Sequence, residues 1–177
     1  MTKRKSKLSS SPRGAEPLGA TALGGKEGRG EGFQVLCTSR SLHARRLSKL
    51  AHSFARTLKL ESAELSLSLV RDPAIRKLKR EYFGIDAATD VLSFPAGDFP
   101  GPGPRPLGDI VISMDTARRA AKDLGTTLER ELALYLAHGM LHLLGHDHQS
   151  PKEARKMERL ERKLLGHAGM LARSDEL

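Results

Sequence analysis

Between Leu132 and Leu144 the chain reads Leu-Ala-Leu-Tyr-Leu-Ala-His-Gly-Met-Leu-His-Leu-Leu, with no formal charge and an apolar residue on nearly every side. A helix without a polar face must be buried all round, so this segment predicts the central helix of a domain whose other elements cover it. It is too short to cross a membrane, which takes roughly 18 apolar residues. The apolar surface is interrupted at His138 and His142, which are one helical turn apart and so project from the same face.

The covering elements alternate short strand-like runs with helical periods. Residues 33–38 read as a first strand. Leu47, Leu50, Phe54 and Leu58 form the apolar stripe of a helix whose other face carries Arg45, Arg46, Lys49 and Arg56. Leu65, Leu67 and Leu69 alternate with Ser66 and Ser68, as in a strand with one buried side. Asp72-Pro73 predicts a cap and a first-turn proline for a short helix over 73–80. Residues 91–94 and 107–113 are further strand candidates, separated by a Gly/Pro loop at 97–104. Residues 114–124 read as a helix closed by Gly125, and Thr126 with Glu129 as the capping box of the buried helix. The last helix has Ser150 as cap, Pro151 at its first position, Glu153 completing the box, Met157, Leu160 and Leu164 as its stripe, and Gly166 as terminator. The expectation is an α+β domain over 33–166, a small mixed sheet packed against helices, followed by a frayed end at 167–177.

Charge narrows the class of partner. There are 30 Lys and Arg against 21 Asp and Glu, a net +9. Residues 1–32 hold seven basic and three acidic residues, seven glycines and no aromatic residue, which leaves +5 on the remainder. Such a segment has too little apolar surface to offset the entropy of ordering it, and it is read as a disordered basic tail, either an arm for nonspecific nucleic-acid contact or an extension without a function. No apolar run follows Lys3-Arg4-Lys5-Ser6-Lys7, so a signal peptide is not expected, and the glycines oppose an amphipathic transit helix. The single cysteine excludes an intrachain disulfide or a Cys-based zinc finger. A soluble cytoplasmic protein is the expectation.

The chemistry concentrates at His138–His148, which holds four of the seven histidines. Gly145 allows a sharp turn after the helix, so that His148 can return toward His138 and His142. Three imidazoles would then converge, as a tetrahedral metal requires of three nitrogen ligands, with the fourth position open. A lone histidine in a core is usually just hydrogen-bonded, and His43, His52 and His167 are read that way. Two neighbouring imidazoles on an apolar surface each need a polar partner, and one ion supplies it for both. His146 lies beside the set. Asp147 is a candidate to orient a ligand ring, and either residue is a candidate for proton transfer. The spacing coincides with the metzincin pattern H-E-x-x-H-x-x-G-x-x-H, except that Gly139 stands where metallopeptidases place their glutamate base. The geometry is zincin-like, and the base is missing.

The run His138–His148 resembles the H-G-x-L-H-L-x-G-[YH]-D-H signature of the YbeY family of bacterial rRNA-maturation endoribonucleases. Thr89-Asp90-Val91-Leu92-Ser93-Phe94-Pro95 is similar to the family's T-D-V-L-S-F-P segment, Leu107-Gly108-Asp109-Ile110 to its L-G-D-I strand, and Met157 with Glu161 to its closing helix. The resemblance implies a zincin-like α+β fold and one zinc ion held by His138, His142 and His148. It also implies single-strand-specific endoribonuclease activity in 3′-end maturation of small-subunit rRNA and ribosome quality control, with the small subunit and its assembly factors as partners. The chain departs from the family at Phe83, where an arginine is usual, at Lys79, where an asparagine is usual, and at Ala88, where a proline is usual. Arg76, Lys79 and Arg80 on the preceding helix are the candidates to contact RNA in that arginine's stead. Two rival readings are a non-catalytic ribosome-assembly factor, its structural zinc closed by His146 or Asp147, and a zincin-type peptidase.

Overall fold

The computed structural model describes residues 32–97 and 103–170. The tail at 1–31, the centre of the Gly/Pro loop and the end at 171–177 lie outside the described residues. Four strands, β1 (Gln34–Cys37), β2 (Ala63–Val70), β3 (Val91–Pro95) and β4 (Arg105–Ser113), form one mixed sheet in the order β1-β2-β4-β3. β1, β2 and β4 run parallel, and β3 pairs antiparallel with β4. The helices are α1 (Leu42–Thr57), α2 (Asp72–Phe83), α3 (Met114–Leu124), α4 (Leu128–Leu143) and α5 (Pro151–His167). No helix among the described residues is long and apolar enough to cross a membrane.

Side-chain alternation explains the layering. In β2, Ala63, Leu65 and Leu67 are buried while Glu64, Ser66 and Ser68 are not, because only one face of that strand is covered. In β4, Ile110, Val111 and Ile112 are all buried, as a strand covered on both sides demands. Ile110 and Ile112 join Leu65, Leu67, Phe54, Leu136 and Met140 in the main core, beneath α1 and α4. Val111 points the other way and packs with Leu92, Phe94 and Ile75 under α2. Thus α4 and α2 occupy opposite faces of the sheet. Phe83, at the position of the family's arginine, packs on Phe94 at 6.1 Å between ring centroids.

Several boundaries differ from the sequence reading, each for a local reason. α2 runs three residues past Arg80, to Phe83, and its N-cap is Arg71, without a side-chain bond. Asp72 lies inside the first turn, where its carboxylate accepts from Ser113 Oγ (2.5 Å), Thr116 Oγ1 (2.9 Å) and Arg119 (2.8 Å). Asp115 in turn accepts from the Asp72 backbone N–H (3.2 Å), so α2 and α3 stabilise each other's N-termini. α4 is capped by Thr127 rather than Thr126. The Thr126 hydroxyl is engaged with the fully buried Glu131 (2.8 Å), and Glu129 reaches out to Arg46 (3.0 Å). α5 has the expected capping box at Ser150 and Glu153, but it continues through Gly166 to His167. The turn comes at Gly169, where Met170 N–H reaches back to the Leu165 carbonyl (2.9 Å).

Candidate metal centre

The site is built where α4 ends. Leu144 is the C-cap, and Gly145 follows at φ 82, a left-handed conformation that glycine adopts without strain. Gly145 N–H donates to the His142 carbonyl (2.9 Å) and His146 N–H to the Leu141 carbonyl (3.0 Å). These two bonds are those of a Schellman motif, which turns the chain back across the helix end. His148 is thereby returned to the face that carries His138 and His142. Ring centroids are 4.6 Å apart for His138 and His142, 5.2 Å for His142 and His148, and 5.6 Å for His138 and His148. One ligand atom from each of the three lies within 4.8 Å of the others.

The donor chemistry of these rings fits a cation. The Nε2 atoms of His138 and His142 face each other at 2.9 Å. Nδ1 of His138 donates to the Glu161 carboxylate, a bond that leaves the lone pair on Nε2. Burial, reinforced by the neighbouring His138 and His148 rings, pushes His142 down to about 4, so its ring is neutral at pH 7. Nδ1 of His148 is buried and has no hydrogen-bond partner among the described residues. Three imidazole nitrogens converging on one point make a set that one divalent ion satisfies.

Asp147 accepts the His148 backbone N–H (2.7 Å) and lies 3.5 Å from its Nδ1, so it fixes the position of that residue. His146 is depressed by burial and then by the charge of Lys156. Neither residue joins the metal-competent cluster among the described residues. His52 and His167 bond their own helices' carbonyls four residues back, at 2.7 and 2.8 Å. At Gly139, α4 packs tightly on the sheet. A Cβ there would lie 3.0 Å from Ile110 Cδ1 and 3.1 Å from both Ile110 Cγ2 and Ser93 Oγ. The position of the peptidase glutamate is thus a tight one against the sheet.

The α2 cations are not brought to the histidines, since α2 stands on the opposite face of the sheet. Arg76 forms a two-pronged pair with Asp86 (2.7 Å for each bond), and Arg80 lies 3.7 Å from the same carboxylate. Lys79, expected with them as an RNA contact, is only 6% exposed. It follows Ile75 by one turn and so shares the sheet-facing side of the helix.

Sequence reasoning passed over Glu161 as a partner of the site, although a signal was present. Glu161 stands four residues after Met157 and three before Leu164, so it lies on the inward side of α5. A carboxylate on such a side needs a specific partner.

A family model described as Endoribonuclease YbeY matches residues 36–169. Proteins named Endoribonuclease YbeY from Myxococcus xanthus and an Anaeromyxobacter species are 60% identical over 133 residues and 51% identical over 128 residues. These alignments take in 74% and 72% of this chain, but only 45% and 66% of the relatives' own lengths. A relative of the same name from Heliobacterium modesticaldum is 45% identical over 121 residues, covering 63% of this chain and 73% of its own. A solution structure of a Thermotoga maritima protein shares the fold, with TM-score 0.53 and 22% identity over 77% of this chain and 91% of that one. Because the family match runs from within the first strand to the end of α5, and so takes in every element that assembles the three histidines, the chain belongs to the YbeY family.

Proposed function

We propose that the chain is a zinc-dependent, single-strand-specific endoribonuclease acting in 3′-end maturation of small-subunit rRNA and in ribosome quality control in the cytoplasm, with the small subunit and its assembly factors as partners. The observation that carries this reading is the convergence of three imidazoles with no fourth protein ligand among the described residues. Structural zinc sites are closed by four protein ligands, whereas catalytic sites keep one position open, so the three-ring cluster favours an enzyme over a non-catalytic assembly factor. A histidine-bearing helix, a glycine turn and a returning histidine beside a mixed sheet support a zincin-like arrangement, and the absence of the glutamate base at Gly139, a position packed tightly on the sheet, argues against a peptidase.

His138, His142 and His148 would hold one ion, which supplies Lewis-acid stabilisation of charge on the scissile phosphodiester. Glu161 keeps the Nδ1 proton of His138, directing Nε2 inward. The low proton affinity of His142 keeps its ring available as a ligand at neutral pH. Asp147 anchors the His148 backbone, and Asp147 or His146 would serve in proton transfer. Arg76 and Arg80 remain candidate RNA contacts, with Arg80 the less engaged by Asp86. On this reading residues 33–166 form the endoribonuclease domain, with the basic segment 1–32 ahead of it.

The deciding experiment measures cleavage of an unstructured RNA and of casein by purified, zinc-loaded protein before and after chelation, with His142→Ala alongside. RNA is expected to be cut and casein left intact, with activity lost on chelation, restored by zinc and absent in the variant. RNA cleavage that survives both chelation and His142→Ala would overturn the proposal.

A further inference from the structure

The inner side of α5 serves the core and the metal centre: Met157, Leu164 and Leu165 are buried, and Glu161 meets His138. Its outer side carries one sign of charge. At about 100° of rotation per residue, Lys152, Arg155, Lys156, Arg159, Arg162 and Lys163 fall in a sector of about 120°, and Glu153, Glu158 and Glu161 all fall outside it. All six cations are exposed. Arg162 pairs with Glu158 at 3.4 Å, but none of Lys152, Lys156, Arg159 or Lys163 forms an ion pair with a described residue. The α2 cations differ in this respect, because Asp86 partly neutralises them.

Like charges three and four residues apart repel and work against the helix that carries them, and a polyanion relieves that repulsion. Near the C-terminal end, the stripe borders a surface depression of ≈ 500 Å³ lined by Arg159, Arg162, Lys163, Gly166 and His167, with no acidic side chain among the described residues of its wall. At the other end, Lys152 follows His148 by only four residues, so the stripe starts a short length of chain after the last of the three histidines. From Lys152 to Lys163 it spans about 16 Å of helix, room for about five phosphates of a stacked strand.

We infer that this face of α5 is the track along which single-stranded RNA approaches the metal centre, its phosphates neutralised by Lys152, Lys156, Arg159 and Lys163. The inference rests on the RNA-cleaving reading above. An anionic bilayer is the other polyanion a basic helix meets, but insertion needs an apolar face, and that of α5 is already buried in the core.

The test is the salt dependence of binding to a labelled 20-mer of 2′-O-methyl uridine. The full wild-type chain is compared with Lys152→Gln/Lys156→Gln/Arg159→Gln/Lys163→Gln, and with Arg45→Gln/Lys49→Gln/Arg56→Gln/Lys122→Gln, which removes the same charge from α1 and α3. Removing one phosphate-neutralising cation should lower the slope of log affinity against log salt by about 0.7, so the slope should fall by up to about 2.8 in the α5 variant and hardly at all in the control. Circular dichroism and a thermal melt establish that both variants fold, and should the fourfold α5 variant not fold, the pairs Lys152→Gln/Lys156→Gln and Arg159→Gln/Lys163→Gln take its place, each lowering the slope by about 1.4. Equal slopes for wild type and α5 variant, or an equal drop in the control, overturn the inference while leaving the RNA-cleaving reading intact. Failure of the wild type to bind the oligomer overturns both. Sedimentation with phosphatidylserine vesicles that depends on the α5 cations, without a change in the RNA slope, assigns the face to a membrane and overturns the inference.

Discussion

Replacing Glu161 distinguishes a metal centre built by α4 and its following turn alone from one that also requires α5. The carboxylate meets His138 Nδ1 with both side chains largely withdrawn from solvent, at 16% and 10% exposure, so water is a poor substitute for either partner. Outer carboxylates that orient a ligand imidazole are typically worth 10–100-fold in metal affinity, about 1.4–2.7 kcal/mol. Glu161→Gln keeps an oxygen that accepts the Nδ1 proton but loses the charge, and zinc affinity is expected to fall about tenfold. Glu161→Ala leaves the N–H without its acceptor. Its zinc affinity is expected to fall toward 100-fold, and the metal-free protein to lose about 1–3 kcal/mol, or about 2–12 °C of melting temperature. Competition against a colorimetric zinc chelator measures the first effect, and calorimetry of the metal-free protein measures the second. An Ala variant that melts lower yet binds zinc as tightly as wild type would refute the argument, since the carboxylate would then serve packing without orienting the ring.

Three further outcomes follow from the geometry. Gly139→Ala places a methyl group 3.0 Å from Ile110 Cδ1, a fully buried and stiff β-branched neighbour. Overpacking of about 1–3 kcal/mol outweighs a helix-propensity gain of about 1, so melting should fall by a few degrees, and a rise would show that α4 has slack against the sheet. For Asp72, burial alone would raise the carboxyl, but the Ser113 and Thr116 hydroxyls and the Arg119 guanidinium together hold it below the usual range. Its stabilisation is therefore complete above the unfolded value of about 3.9 and is lost as pH falls through the folded one. Asp72→Asn should lower the melting temperature at pH 7 and flatten its decline below about pH 4, and an unchanged acid limb would contradict this. Arg80→Ala should lower the salt slope of RNA binding by about 0.7, and an unaltered slope removes Arg80 from the RNA-contacting set.

The three-histidine cluster was legible in the sequence because its causes are local. The helical period aligns His138 with His142, and a glycine able to take a left-handed conformation turns His148 back onto them. The same holds for the apolar α4, the alternating β2, the evenly apolar stretch of β4 and the capping box of α5, each of which is settled by near neighbours in the chain. Tertiary structure alone decided the rest, where residues far apart in sequence meet. Packing placed α2 across the sheet from α4, turned Lys79 inward with Ile75, and bound the first turns of α2 and α3 through Asp72 and Asp115. It pressed Gly139 against Ile110 and Ser93 so that even a Cβ there is crowded, and it brought Glu161, 23 residues downstream, against His138. Periodicity tells which side of a helix is buried, but what that side touches depends on how the helices close over the sheet, and no local pattern encodes that choice.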